Sequence, residues 1–501
     1  MNNIITAKDI AILGQHVKEL YCKLEILNES LQTIDILKGT VTSGSISIDS
    51  SSNIRKTLSL TSHVKNKSYL VNQESKIWFT KYIKVSIGIK SLITQEIQYY
   101  DMGIYTFSEN NFQYDSTTNS ITLKCLDFMS KLIDTPLFGT TTTKILAGTN
   151  IREAMIGVLE KVGIKKYLIP NIGSTTINPI TEKQNDTVPY DLSFSSSNSA
   201  YDVIEKLYTL YSGFEVFFDN DVFICQKIPT GENEQIVLDW QTIEKKQLLI
   251  SESKNNSLDK VKNITQVFGK QINVDRYSDV CTNSGSQYNV TFTDLTALEN
   301  GKTYAIKLNT VNLVNPTLKI NSFSVYPIVD TSDVTIPAGT INGYSAFKFW
   351  HNKFMYLGQY QVNALAVHVS EMPNAKKQQY YKAKFNTDNI SYIVNPESPY
   401  TVEKISERID VKSGNDYDKI YSNDLCLQRA EFENWKTTRL EDSISLELQL
   451  IPWLKVDKLI TYKSKDGIIG TYMIKDISIT LMEGKMKVDM IRYYPLYPKI
   501  M

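Results

Sequence analysis

Apolar and polar residues alternate over much of the segment 21–133, which is the pattern of half-buried β-strands. Residues 45–49 and 56–61 each alternate and are separated by a polar cluster, so the pattern predicts a β-hairpin. Residues 83–89 and 121–125 repeat the alternation. Several short strands at this spacing predict a compact antiparallel barrel or sandwich.

The spacing of apolar residues changes to that of helices in the middle of the chain. Residues 150–153 have the sequence of a capping box, and an apolar helix face follows until Gly163. A second helix is predicted over residues 199–211, followed by a hairpin whose turn lies at residues 219–221. This succession predicts a small α/β module.

Two further β-rich segments complete the chain. Short predicted strands within residues 285–360 are separated by glycines and prolines, as in a small β-sandwich. A polar helix is predicted at residues 422–438, and alternating strands occupy residues 444–491. The predicted fold class is therefore α+β and mainly β. Two antiparallel β-barrel-like domains flank the α/β module, and a small β-sandwich-like domain is inserted into the second of them.

The domain boundaries follow from these changes of pattern. The block at residues 285–360 is interpreted as an insertion, because whole domains are tolerated at exposed loops whose ends lie close together. The predicted divisions are residues 1–140 for the first barrel-like domain, 141–260 for the α/β module, 261–284 and 361–501 for the second barrel-like domain, and 285–360 for the insertion.

The amino-acid composition reduces the classes of function that the protein is expected to have. The chain has 501 residues, with 54 Lys and Arg against 54 Asp and Glu. Non-specific nucleic-acid binding is not expected to be its main task, because such binding relies on excess positive charge. The 30 Tyr and 18 Phe residues favour β structure and large interfaces, since aromatic rings offer wide contact area. The candidates for interface contacts are Trp78, Tyr99, Tyr100, Trp453, Tyr493 and Tyr494.

The sequence contains no recognisable catalytic or metal-binding constellation. The five cysteines lie far apart without a CxxC pair, which argues against a disulfide framework or a zinc site. The four histidines are isolated, and there is no glycine-rich phosphate loop. Asp219 and Asp221 are interpreted as turn residues, and residues 413–418 lack the spacing of a calcium loop. We expect no enzyme activity, no cofactor and no metal.

The sequence also shows no pattern typical of a signal peptide or of a membrane-spanning segment. The first twelve residues lack a basic stretch followed by an apolar one, and no apolar run approaches the roughly 18–20 residues that span a bilayer. We expect the protein to fold in a reducing cytoplasm.

The order of the modules resembles that of bacteriophage baseplate hub and tail-tip proteins. The likeness to the N-terminal domain of that family lies in residues 44–60, 78–89, 103–107 and 121–127. The likeness to its α/β module and second barrel lies in residues 187–192, 200–204, 213–219, 398–400 and 457–491. The inserted block is similar instead to small β modules of phage tail fibres, through residues 301–304, 318–321, 327–328, 336–339 and 354–359.

This resemblance implies a structural role in the virion tail, assembled in the host cytoplasm. Hub proteins of this kind form homotrimers in which each subunit contributes two similar barrel domains. The resulting pseudo-six-fold ring meets the tail tube or a distal tail protein, and the three-fold face meets a tip, spike or other baseplate protein. DNA would pass through such a ring without specific binding.

Two other functions stay open at this point. The first is a receptor-binding or carbohydrate-binding tail protein that contacts a cell-surface glycan through aromatic residues of the insertion, namely Tyr344, Phe347, Trp350 and Phe354. The second is a tail-associated peptidoglycan hydrolase. We do not expect a hydrolase domain, because the sequence stops at Met501 directly after the last predicted strands.

Overall fold

The structure is a computed structural model that is mainly β. It describes residues 6–15, 17–38, 40–64, 67–71, 75–107, 112–137, 143–146, 148–173, 186–188, 191–211, 213–229, 234–270, 274–330, 333–360, 364–414, 416–420 and 422–493. None of the helices in these ranges combines the length and apolarity that crossing a bilayer requires.

The first module lies between the helices α1 (Ala7–Leu13) and α2 (Met129–Asp134). The predicted hairpin is confirmed, because its two strands pair antiparallel from Val41 with Ser62 to Ile48 with Lys56. The predicted apolar face at residues 83–89 is confirmed by its four buried side chains. The strands are β1 (Leu20–Leu27), β2 (Thr33–Lys38), β3 (Val41–Asp49), β4 (Lys56–His63), β5 (Tyr82–Lys90), β6 (Ile97–Thr106), β7 (Gln113–Asp115) and β8 (Ser120–Leu126).

The α/β module begins in a short two-stranded sheet. Of the capping box predicted at residues 150–153, the structure shows the Asn150 half, because its side chain accepts the Glu153 amide, whereas the Glu153 carboxylate pairs with Arg152. At α4, Ser199 forms a reciprocal capping box with Asp202. Asn220 lies in the predicted turn with a left-handed backbone. The elements are β9 (Thr143–Ile145), α3 (Ile151–Lys161), β10 (Tyr167–Leu168), β11 (Leu192–Phe194), α4 (Ala200–Tyr208), β12 (Phe214–Asp219) and β13 (Val222–Lys227).

The segment that follows the α/β module pairs with the C-terminal strands of the chain. The helix α5 (Trp240–Lys245) lies between β14 (Ile236–Leu238) and β15 (Leu249–Ser257). The C-terminal strands follow the predicted ones, except that two of them are a single long strand, β30. They are β28 (Glu441–Gln449), β29 (Leu459–Lys463), β30 (Ile469–Thr480) and β31 (Lys485–Arg492).

The two terminal modules were expected to be separate barrel-like domains, but they share one curled sheet of fourteen strands. Its main path has the order β15-β28-β31-β30-β3-β4-β8-β6-β5-β1-β2. The junction is the antiparallel pair of β3 with β30, from Ser45 with Thr480 to Asp49 with Asp476. One apolar core, which contains Leu24 and Ile46 as well as Leu446 and Val488, fills the inside of the sheet. Both halves therefore fold as a single body.

A separate four-stranded sheet contains part of what was predicted as the second barrel. Its order is β26-β25-β16-β27. The long helix predicted at residues 422–438 is confirmed as α8, which begins after the N-cap Ser422 and packs on this sheet. The elements are β16 (Ile264–Phe268), β25 (Leu365–Met372), α6 (Gln378–Phe385), β26 (Ile390–Val394), α7 (Val402–Ile405), β27 (Ile409–Lys412) and α8 (Asn423–Thr437).

The insertion occupies the connection between β16 and β25, whose ends meet where the Gly269 amide donates to the Ala364 carbonyl at 2.6 Å. It has its own eight-stranded arrangement and its own apolar core. Its strands are β17 (Arg276–Ser278), β18 (Thr282–Ser284), β19 (Gln287–Val290), β20 (Thr303–Lys307), β21 (Thr317–Ile320), β22 (Tyr326–Val329), β23 (Tyr344–Trp350) and β24 (Lys353–Gln359).

Three of the expected boundaries differ from the strand pairing. The boundary at residue 285 falls inside the insertion, because β17 pairs with β20 and β18 pairs with β19. The α/β module was expected to extend to residue 260, whereas β14 and β15 belong to the large sheet. Residues 261–284 and 361–440 are not part of a second barrel. Partners distant in the chain decide these memberships, and the alternation of a short strand does not specify its partner.

Candidate functional surface

The outer face of the large sheet is polar and rich in hydroxyl groups. Residues directly opposite each other on antiparallel strands point to the same face, so the pairing defines rows of neighbouring side chains. One row runs through Ser251, Glu447, Lys487, Ser478, Ser47 and Thr57. The next runs through Gln449, Lys485, Thr480, Ser45, Ser59 and Lys124. The third runs through Ser253, Ser445, Asp489, Asp476 and Asp49.

These three rows, which we call the hydroxyl face, cross the junction between the two halves of the chain. An open groove of about 440 Å³ lies on this face and is lined by residues of β15, β28, β30 and β31. Both halves of the chain therefore contribute to one continuous polar surface.

Charges on the hydroxyl face nearly cancel. The three rows contain three lysines and four carboxylates. Lys485 pairs with Glu447 at 3.4 Å, and Lys487 pairs with Asp489 at 2.9 Å. Burial, together with the nearby carboxylates of Asp489 and Asp49, raises the pKa of Asp476. The face thus has no positive excess that would hold a polyanion.

A buried ion-pair cluster joins three parts of the chain. Arg55, whose side chain is 5% exposed, donates to Glu215 at 2.7 Å and to Asp457 at 2.9 Å. Its guanidinium also lies 4.2 Å from the centre of the Phe217 ring. Arg55 precedes β4, Glu215 and Phe217 lie on β12, and Asp457 precedes β29. The cluster therefore joins the α/β module to both halves of the large sheet.

Burial and neighbouring cations shift the pKa values of two carboxyl groups on β12, Glu215 in this cluster and Asp219 at the end of the strand. Burial raises the pKa of Glu215, although the neighbouring Arg55 opposes the shift. Burial also disfavours ionisation of Asp219, but the ammonium groups of Lys56 and Lys455 outweigh it and lower the pKa of Asp219. The Asp219 carboxylate is thus an ion-pair partner as well as the turn residue that the sequence predicted.

The four aromatic residues proposed as glycan contacts do not form one surface. Phe347 and Phe354 are fully buried in the core of the insertion, so the prediction that they are exposed contacts is wrong. The ring centre of Tyr344 lies 6.0 Å from that of Tyr360, inside a small cluster near the base of the insertion. Trp350 is 43% exposed and stacks on His351 at the tip of the hairpin between β23 and β24.

The proposed interface aromatics have mixed positions. Tyr100 and Trp453 contact each other across the two halves, with ring centres 5.5 Å apart, and Tyr100 donates to Asp9 at 2.7 Å. Tyr99 lies beneath the ammonium group of Lys23. Trp78 stacks edge-on against the exposed Phe79. Tyr493 is the last described residue, and Tyr494 lies outside the described residues.

Within the described residues, no group of three or more His, Cys, Asp and Glu side chains is arranged to hold a metal ion. The five cysteines are buried and unbridged. His368 is buried with its Nδ1 2.6 Å from the Ser391 hydroxyl, and burial lowers the pKa of His368 to about 4.

Residues 397–497 match a family model described as a domain of unknown function, DUF5048. No curated protein matches the chain.

Solved structures give similarities over nearly the whole chain. A 43 kDa tail protein of prophage MuSo2 from Shewanella oneidensis is 9% identical, with 94% of this chain and 98% of that one covered and a TM-score of 0.44. A tail protein from Neisseria meningitidis MC58 is 7% identical, with 95% and 99% covered and a TM-score of 0.44. The prophage tail protein gp18 from Listeria monocytogenes EGD-e is 9% identical, with 94% of each chain covered and a TM-score of 0.41. All three are named as tail proteins.

Proposed function

We propose that the chain is a structural component of a phage or phage-like tail. In this role it is a homotrimeric hub that adapts the six-fold tail tube to a three-fold tip. The observation that carries the proposal is the junction of β3 with β30, because it places two β modules side by side in one rigid sheet. Three copies would present six such modules in a ring.

The chemistry of the surface supports a scaffold rather than a catalyst. The hydroxyl face is an extended polar surface, and two of its three lysines are paired with carboxylates of the same face. Wide interfaces need satisfied polar groups and packed aromatic residues, not a reactive cleft. The partners proposed are a tail-tube or distal tail protein on one side and a tip, spike or other baseplate protein on the other.

The hydroxyl face is the proposed lining of a passage for DNA. A near-neutral lining lets a polyanion pass, because strong binding requires cations that displace its counterions. In a gel-shift assay at low salt, the wild-type protein should not bind duplex DNA and should leave its mobility unchanged. The double variant Ser47→Lys with Ser478→Lys should bind the DNA and shift its band, and the shift should weaken as salt is added. A strong shift with the wild-type protein would contradict this part of the proposal.

The hub role is tested by imaging. The purified chain is mixed with a tail-tube protein and examined by negative-stain electron microscopy. Three-fold particles attached to the ends of tubes are the expected result. A protein that stays monomeric and never joins the tube would overturn the proposal.

A second function, glycan binding by the insertion, is favoured by the exposed stack of Trp350 on His351. An exposed indole can stack against the apolar face of a sugar ring, and this residue lies at the tip of the inserted hairpin. Glycan arrays with the full chain and with Trp350→Ala test it. Binding that disappears in the variant supports a receptor role, and absence of binding in both proteins removes it.

A further inference from the structure

Within the described part of the chain, the main path of the large sheet ends in two open edges, and the short side strands β7 and β14 are also paired on one side only. The strand β2 pairs only with β1, and β15 pairs only with β28. An edge strand presents a row of backbone N–H and C=O groups that can pair with another strand. On the β2 edge, the amide of Ile36 donates to the side chain of Asp35 at 2.8 Å and not to another strand.

These edges carry charged residues, namely Asp35 on β2 and Glu252 and Lys254 on β15, but they also expose apolar side chains. Ile34 and Ile36 on β2 are each 45% exposed, and so is Ile250 on β15. A β-bulge lies at Ile250, but the seven residues after it run in regular register along β28 and include no proline. Exposed apolar residues on a long edge strand are typical of a strand that finds a partner.

We propose that β2 of one copy pairs with β15 of the next copy, so that the sheet continues from subunit to subunit. This inference rests on the proposed hub function and names the strands that would build the ring. The partner is a second copy because the two open edges end the same sheet. One rotation that joins β2 to a neighbour's β15 can be repeated until the ring closes, and neither end of the main path is then left exposed.

A pairing of β2 with β2 gives a different assembly. Such a contact is symmetric and closes after two copies, which would leave both β15 edges open. The two arrangements can therefore be distinguished by disabling one edge at a time.

The experiment uses two full-length variants. The first carries Ile34→Lys with Ile36→Lys and has a disabled β2. The second carries Ile250→Lys with Ser253→Lys and has a disabled β15. Masses are measured by sedimentation over a range of concentrations. The matched control is Ile469→Lys, which replaces an isoleucine that is 51% exposed and lies on a strand inside the sheet.

The wild type and the control should assemble to three times the chain mass of 57.1 kDa, and each edge variant alone should fall to 57.1 kDa. A mixture of the two variants still has one intact β2 and one intact β15. It should form a species of twice the chain mass and nothing larger.

The outcomes separate this inference from the hub function. If the wild type assembles and either edge variant keeps the full mass, or the mixture stays monomeric, the edge pairing is wrong and the hub function stands. If the wild type is monomeric both alone and with tail tubes, both proposals fail. Hydrogen exchange of the wild type gives a second readout in case a variant misfolds. The amides of β2 and β15 should lose protection on dilution, and unchanged protection would contradict the pairing.

Discussion

Arg55 is the residue on which the α/β module and both halves of the large sheet converge. Its guanidinium is almost fully buried between Glu215 and Asp457, and only a matching pair of carboxylates makes such burial tolerable. Neither partner was foreseen from the sequence, because Arg55 and Asp457 lie at opposite ends of the chain. A turn that joins two strands gives no sign that its arginine is buried.

Replacing Arg55 by Met is expected to lower the free energy of unfolding by about 3–5 kcal/mol, because two buried carboxylates then lack their cation. The matched control is Lys166→Met, which breaks an ion pair with Asp221 in which the lysine is largely exposed. Its cost should be about 0–1 kcal/mol. Urea unfolding measures both. Equal losses in the two variants would show that the Arg55 cluster does not fasten the modules.

His368 makes stability depend on pH. Its pKa is lowered from 6.5 in the unfolded chain to about 4 by burial, so the unfolded state binds more protons between these values. The stability contributed by the neutral imidazole is present above pH 6.5 and is lost as the pH falls toward 4. We expect the wild type to lose about 3 kcal/mol more than His368→Gln over this interval. Urea unfolding at several pH values checks this, with the exposed His63→Gln as control. Identical pH profiles for the wild type and His368→Gln would refute the expectation.

At the scale of elements, local signals in the sequence were sufficient for type and position. The N-cap Asn150, the turn at Asn220 and the four apolar positions of β5 are all read from neighbours in the chain, and each is confirmed. These features depend on hydrogen bonds and side-chain spacing within a few residues.

Pairing over long distances could not be read in this way. Ile48 on β3 lies opposite Ile477 on β30, and nothing in either alternating strand identifies the other. The aromatic residues of the insertion illustrate the same limit. Phe347 and Phe349 on β23 are both buried although they are close in sequence to the exposed Trp350. Burial there depends on which strands cover each side of the sheet, and only the tertiary structure specifies that.

The insertion should be removable as a unit. Its ends leave adjacent antiparallel strands, since Phe268 lies opposite Leu365, and its core is separate from the others. Replacing residues 270–363 by Asn-Gly creates a two-residue hairpin connection of a favoured type. We expect the shortened chain to keep its circular dichroism spectrum and its assembly state. The control deletes β7, which removes a strand of the large sheet. Unfolding of the shortened chain would show that the insertion supports the hub.

At the scale of the whole molecule, the balance between acidic and basic residues in the composition is also found locally, on the hydroxyl face. The hydroxyl face contains almost as many lysines as carboxylates, and it crosses the junction of β3 with β30 where both halves meet. A ring that carries this face inward would expose neutral, hydroxyl-rich walls. The many aromatic residues of the composition instead serve mostly as core, with Trp350 and Phe79 among the exposed ones.

Trimer formation is the property on which the hub function depends most directly. The mass of the purified full-length chain in solution, measured by light scattering over a range of concentrations, tests it in one step. The predicted result is a particle of three times 57.1 kDa. A mass of 57.1 kDa at every concentration, unchanged when tail-tube protein is added, would contradict it.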